Sequence, residues 1–428
     1  MTPGELDEVR CQLDNFAADV LEPFPRADQR HWGGVYLRGL LLEGQRKSVE
    51  PMAARLGEDG NRQALAHFIT SSPWDSAHVR ARLARKMQPV VEPTAVIVGD
   101  MGFLKHGDAS ACVSRQYTGT TGKVTNCQVG VSLHLASIGS SSVVNWRLFL
   151  PRSWDPASPQ ADPAKVARRE RCGIPAGVGH VEKWQLALDM VDEIRSWGID
   201  VPLVVADAGY GHAAAFRFGL EERGLHYLVG LPKTATAQLA AAHSAAAHPA
   251  AARTQTPLCG GCGRNPAAAC SDRPQTVKRL VIDSGRKTAR PVQWREGSRL
   301  GTGRIGFRHM YSRFVPLRIR PAGPEIGKVV EMPAQWLLAE WPSDAPGPFE
   351  FWLSNLPEST PLTTLVRLAK LHRRIEHDYR EMKQALGLTD FEGRTWNGWH
   401  HHVTLVAAAH AFHTLLRISC CPEEKTPA

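Results

Sequence analysis

Two short apolar runs that each end on an aspartate constrain this chain more than any other feature. TAVIVGD, Thr94 to Asp100, and VPLVVADAGYG, Val201 to Gly211, are β-branched, and their apolar cores run unbroken up to the acid. Runs of this kind read as strands buried on both faces, which need helices packed over them and place the chain in the α/β class. An aspartate at a strand end also serves as an ordinary turn or cap residue, so neither Asp100 nor Asp207 carries a role alone. Their order carries more. Asn126 to Ala136 and Ser142 to Leu150 alternate as two further strands and form an antiparallel meander with the first. Val181 to Trp197 and Ala213 to Arg223 have helical spacing, and His226 to Leu231 closes a βββαβαβ series. That order predicts a mixed sheet in which the ends of the Asp100 and Asp207 strands are adjacent.

A third acid stands on a late helix, Leu365 to Leu386, LVRLAKLHRRIEHDYREMKQAL. Leu365, Leu368, Leu371, Ile375, Tyr379, Met382 and Leu386 recur every three or four residues and line one face. Arg373, Glu376, Arg380 and Lys383 form a bordering stripe, because Ile375 and Glu376 are about 100° apart on the helix. Glu376 therefore sits where buried meets exposed. By itself it would serve equally in surface ion pairs with Arg373 and Arg380. Glu381 lies about 140° around from Glu376, beside Lys370, Arg374 and His377, and reads as structural. Three acids on two strand ends and a helix edge match the hard oxygen ligands of two Mg²⁺ or Mn²⁺ ions, about 4 Å apart, in phosphodiester chemistry.

At 428 residues and 43% hydrophobic, the chain exceeds the size at which one core stops growing. The spacing predicts an all-helical domain over 1–90, a first core part over 91–232, a β-rich insertion over 233–345, a second core part over 346–419 and a disordered tail over 420–428. Strands are expected in the insertion at Lys278 to Asp283, Phe314 to Arg320 and Gln335 to Trp341. In the first domain, Ser48 can cap a helix through Leu56 and Asn61 can cap NRQALAHFIT, a helix-turn-helix pattern offering Arg62, Gln63 and His67 to a major groove. Two helices around a glycine turn are also ordinary packing. The net charge of +9 points to polyanionic partners, nucleic acid first. Nine cysteines without a signal pattern fit a reducing cytoplasm, and no apolar run is long enough for a membrane span.

Several blocks, in order, resemble DDE-type transposases of bacterial insertion sequences, most of all the group named for insertion sequence seven-oh-one. They are YLRGLL and RKSVEPMA near the N-terminus, VIVGDMGFLKHG at Val96 to Gly107, and SRQYTGTTGKVTNCQVGVSLHLA at Ser114 to Ala136. VVADAGYG follows at Val204 to Gly211, then RRIEHDYREMKQALGL at Arg373 to Leu388 and FEGRTWNGWHHHVTL at Phe391 to Leu405. The resemblance implies a ribonuclease-H-like fold with the insertion before the glutamate helix. Asp100 and Asp207 become the catalytic aspartates and Glu376 the glutamate, with Lys383 as the signature lysine. It further implies two Mg²⁺ or Mn²⁺ ions, double-stranded transposon-end and target DNA as partners, a homodimer or higher multimer on paired ends, and a nucleoid-associated protein. Gly99 stands where the family often has a second acid, and His372 and Ala369 stand where its arginine and tyrosine are expected. Two alternatives share these residues: a DNA-binding protein without catalysis, and a ribonuclease-H-like nuclease without strand transfer.

Arg115, Lys123, Lys183, Arg373, Arg380 and Lys383 are the candidates for DNA backbone contacts. Trp154, Trp396 and Trp399 are candidates for stacking on an extruded base, with core packing as the default for tryptophan. Cys259, Cys262, Cys270, His243 and His248 have some zinc-site spacing, but the surroundings are Gly- and Ala-rich and no second CxxC follows, so no zinc is expected. His400 to His402 point in different directions from a helix and cannot chelate one ion together; one of them is expected to cap or to contact phosphate.

Overall fold

The computed structural model describes residues 2–240, 273–295, 310–323 and 333–420. Met1–Gly230 with Arg367–Ala428 form one compact unit, and Leu231–Val366 form a second.

The first unit opens with α1 (Pro3–Val20), α2 (Ala27–Leu41), α3 (Val49–Leu56), α4 (Arg62–Thr70) and α5 (Ser76–Val91). Local chemistry sets their starts. Thr2 and Glu5 form a capping box on α1, Asn61 Oδ1 accepts from Ala64 N at 3.0 Å, and Asp75 caps α5. Next come β1 (Ala95–Leu104), β2 (Ser114–Thr118), β3 (Lys123–Ala136) and β4 (Ser141–Leu148), then α6 (Pro163–Val166), α7 (Lys183–Ser196), β5 (Val204–Ala206), α8 (Ala208–Gly211), α9 (Ala214–Glu222) and β6 (Tyr227–Gly230). The sheet order is β2-β3-β1-β5-β6, with β4 also on β3. β1 pairs antiparallel with β3 and parallel with β5, so the sheet is mixed, as expected from the strand order. The strand β2 was not anticipated; SRQYT lies in a stretch rich in glycine and polar residues and pairs with β3 as a hairpin.

Val96, Ile97 and Val98 are fully buried between helices on both sheet faces. The strand expected to end at Asp100 runs on to Leu104, because pairing with β3 continues to Cys127, so Asp100 lies within β1 opposite Val131 and not at its end. Pairing alternation sends residues 99, 101 and 103 to one face and Asp100 and Gly102 to the other. The chain returns to this unit through α11 (Leu362–Leu371), α12 (Arg373–Gln384) and α13 (Trp396–Cys420). The expected single helix over Leu365 to Leu386 is interrupted at His372, where Ile375 N bonds His372 O in a tighter i,i+3 turn. Between Val403 and Phe412 α13 is buried around its circumference and apolar except for Thr404 and His410, and it packs against β4, α2, α4 and α5.

The second unit carries β7 (Thr236–Leu239), β8 (Gln275–Thr276), α10 (Val277–Ser284), β9 (Arg290–Arg295), β10 (Met310–Ala322), β11 (Gln335–Glu340) and β12 (Glu350–Ser354). Its antiparallel order is β12-β11-β10-β7-β8, with β9 on β10. The strands at Phe314 to Arg320 and Gln335 to Trp341 are present. Lys278 to Asp283 is instead helical: Thr276 Oγ1 accepts from Arg279 N at 3.2 Å, and Gly285 ends the helix at φ +82°. The cysteines and histidines weighed for zinc lie outside the described residues.

His400, His401 and His402 are all buried, so none of them reaches a phosphate at the surface. Each faces a different neighbour. His402 Nε2 bonds Gly387 O at 3.0 Å while Nδ1 meets the Tyr36 hydroxyl at 2.9 Å, a pattern the neutral ring satisfies completely. His401 contacts Ile69 O and Trp74 O and stacks on Trp74 at 3.7 Å. These contacts tie α13 to the N-terminal helices. Burial holds both rings at about 4, below the ordinary histidine value, against the backbone carbonyls that favour the charged form. The unfolded chain takes up protons near pH 6.5 that the folded chain refuses, so stability is full above that pH and falls as pH drops toward 4. Urea unfolding between pH 7 and 4 should show this decline, with His402→Gln making it shallower; a flat profile would contradict it.

Candidate active site

Gly99 is the point on which the site converges. The parallel register ends at Val98 opposite Ala206, which brings Asp207 level with Gly99 where β5 stops. A Cβ on Gly99 would stand 2.5 Å from Ile375 Cδ1 and 2.8 Å from the Tyr379 hydroxyl, so α12 rests directly on β1 there. Asp100 is the next residue on β1, and Glu376 is the next residue after Ile375. All three predicted acids are thus within one residue of this contact.

Asp207 is held by its own turn. Its Oδ1 accepts from Gly209 N at 2.8 Å and Tyr210 N at 3.3 Å, capping α8. Two glycines let that turn lie against β6: a Cβ on Gly211 would be 2.1 Å from Gly230 O, and one on Gly230 would be 2.6 Å from Ala208 N. Asp100 faces α7, where Lys183 Nζ meets its Oδ2 at 2.5 Å and the Tyr210 hydroxyl approaches the same oxygen at 3.5 Å. Burial, with the neighbouring Asp100 and Asp207 charges, raises the Tyr210 phenol well above its ordinary value.

Buried polar bonds fix α12. Tyr379 Oη bonds Ser132 Oγ at 2.6 Å, Ser132 Oγ meets His134 Nε2 at 3.0 Å, and His134 Nδ1 meets Asp378 Oδ2 at 2.9 Å. Ser141 donates to the other Asp378 oxygen at 2.7 Å. Burial pushes the Asp378 carboxyl up, but His134, the nearby His410 and Ser141 outweigh it and hold the group at about 2. Glu381 is tied to α13 by Arg417 at 2.8 Å and His413 at 3.2 Å, in keeping with a structural role. Glu376 is exposed and makes no hydrogen bond or ion pair with a described residue.

These features belong to a recognised family. Residues 19–301 match the model of the DDE superfamily endonucleases. The chain is a DDE superfamily endonuclease. It is also similar to the probable transposase for insertion sequence element IS701 of Microchaete diplosiphon, at 29% identity over 196 residues. That match spans under half of either protein, 45% of this chain and 46% of the relative. The mixed sheet with helices on both faces is the ribonuclease-H-like core of the DDE family.

Members of the DDE superfamily endonucleases generally use divalent metal ions. Among the described residues no three His, Cys, Asp or Glu side chains stand together closely enough to hold one. The donor set nevertheless fits a hard cation: all three acids offer oxygen, Asp207 and Glu376 are exposed, and a cation, the Lys183 ammonium, already sits on Asp100.

The remaining candidates spread over several surfaces. Arg62 and Gln63 are exposed at the start of α4, and His67 follows one turn on. Arg373 and Arg380 are exposed on α12, while Lys383 is half-buried, which lowers its pKa. Arg115 and Lys123 are exposed on the β2–β3 hairpin. Sequence reasoning missed the apolar pair beside them, Tyr117 at 62% and Val124 at 54% exposure, directly opposite across the hairpin. It also missed Tyr210, although that residue sits inside the glycine-flanked AGYG that follows Asp207; Tyr379 was placed on the packing face of its helix but without its bond to Ser132. Trp154 and Trp399 are buried in the core and cannot stack on a base; Trp396 is partly exposed.

The glycine contacts make opposite predictions at two sites. Gly230→Ala should destabilise the protein by about 1–3 kcal/mol by forcing backbone against the Asp207 turn. Gly34→Ala, in α2 with open space around it, should be neutral or stabilise by up to about 1 kcal/mol. Denaturant midpoints of the two variants check both signs, and equal shifts would contradict the packing.

Proposed function

We propose that this protein is the transposase of an insertion sequence, cutting at terminal inverted repeats and joining the released ends to target DNA. The reading rests on the backbone positions of Asp100, Asp207 and Glu376, each within one residue of the contact that Gly99 makes with β5 and α12, on a chain of the DDE endonuclease family. The IS701 transposase supports the choice of transposition over other nuclease work.

Asp100, Asp207 and Glu376 would hold two Mg²⁺ or Mn²⁺ ions, which when bound supply activation of the attacking oxygen and stabilisation of the leaving one. Asp207 is oriented by its cap bonds to Gly209 and Tyr210, and Glu376 by the buried face of its own helix. Cleavage forms a bond from a water oxygen to the scissile phosphorus and breaks the bond to the 3′ oxygen, leaving a 3′-hydroxyl. In strand transfer that hydroxyl oxygen bonds a target phosphorus and the target 3′ oxygen leaves. Arg373, Arg380 and Lys383 line the Glu376 side of α12 and would position the strand through its phosphates, with Arg115 and Lys123 on the hairpin. Residues 1–90 would bind the element's ends, Arg62 and Gln63 reaching base edges, and pairing of two ends calls for a dimer or larger assembly.

One observation favours the non-catalytic DNA binder as a second reading: Asp100 is engaged by Lys183. A supercoiled donor plasmid carrying the element's ends separates the two. Excision with Mg²⁺ supports the enzyme, and end protection without strand breaks supports the binder. Asp100→Asn, Asp207→Asn and Glu376→Gln should each abolish cleavage while sparing end binding, and full activity in any of them would sink the assignment.

A further inference from the structure

Lys183 is the first residue of α7, and no acidic residue stands in that helix's first turn. Helix N-termini carry partial positive charge, so an ammonium there is repelled by its own helix. Asp100 holds it in place. The pair is short, 2.5 Å, yet Lys183 keeps 38% and Asp100 20% of its side chain exposed. Partly exposed pairs of this kind are weak and easily exchanged. A divalent ion at the same oxygen has twice the charge of the ammonium and, at equal distance, twice the Coulomb attraction. A DNA phosphate near α7 offers the released ammonium a new partner.

We propose that Lys183 is an exchangeable counterion of the site: without DNA it occupies the cation's place on Asp100, and DNA draws it to a backbone phosphate, so that metal and DNA bind cooperatively. The inference rests on the reading of Asp100 as a metal ligand. It makes Lys183 a positioning residue whose contact with DNA, expected from the sequence, belongs to the DNA-bound state. By linkage, the factor by which DNA tightens metal binding equals the factor by which metal tightens DNA binding.

The test is Mn²⁺ binding to the full chain, followed by electron paramagnetic resonance of the free ion, with and without a duplex carrying the element's end and corrected for Mn²⁺ on DNA alone. In the wild type, DNA should tighten Mn²⁺ binding. K183Q should bind Mn²⁺ about fivefold more tightly without DNA and lose most of the further gain on adding it. Lys183→Ala should behave alike, with circular dichroism reporting that both fold. D100N should lose Mn²⁺. If D100N loses Mn²⁺ while K183Q binds it as the wild type does, or more weakly, the counterion role is overturned and the ligand reading stands. If D100N binds Mn²⁺ normally, the ligand reading fails and the counterion role falls with it.

Discussion

The site depends on one close approach, that of α12 to β1 at Gly99. A Cβ at that position would stand 2.5 Å from Ile375 Cδ1 and 2.8 Å from the Tyr379 hydroxyl, so both side chains would have to shift to admit one. The absence of a side chain lets Ile375 and Tyr379 of α12 rest on β1 at the level where β5 ends. The register makes the placement strict: a slip of one residue on β1 would turn Asp100 to the α12 face and bury a different set of side chains.

α12 uses its acids in two ways. Asp378 and Glu381 are spent on packing, one bonded to His134 and Ser141, the other to Arg417 and His413. Buried polar networks of this kind are costly unless fully satisfied, and when satisfied they select one docking geometry among the many an apolar face would accept. Glu376, on the remaining side of the same helix, has no such partner among the described residues and stays exposed. The helix is therefore anchored through two carboxylates while the third stays exposed.

Much of this was legible in the sequence because it rests on strong patterns. The buried β-branched runs before Asp100 and Asp207, the helical spacing that put Glu376 on a boundary, and the segregation of Glu381 all follow from side-chain period, whereas the continuation of β1 past Asp100 to Leu104 follows from its pairing with β3. What was missed involves weaker or nonlocal signals. Lys278 to Asp283 is a short apolar run whose length cannot separate strand from helix, and the Thr276 cap and Gly285 stop decide it. SRQYT becomes β2 only because β3 extends to meet it. His400 to His402 look like surface chemistry until α13 is seen buried against α2 and α4. Tyr210 approaches Asp100, and Tyr379 bonds Ser132, through pairings distant in sequence, which no local pattern announces.

Asp100, Asp207 and Glu376 are proposed to serve one metal centre. This is tested most directly by replacing Mg²⁺ with Fe²⁺ in the DNA-bound protein and letting peroxide generate hydroxyl radicals at the bound ion, then mapping where the polypeptide is cut. The account predicts cuts clustered at three separated stretches, around Asp100, around Asp207 and around Glu376, all suppressed together by excess Mg²⁺. Cuts confined to one of those stretches, or falling elsewhere in the chain, would contradict it.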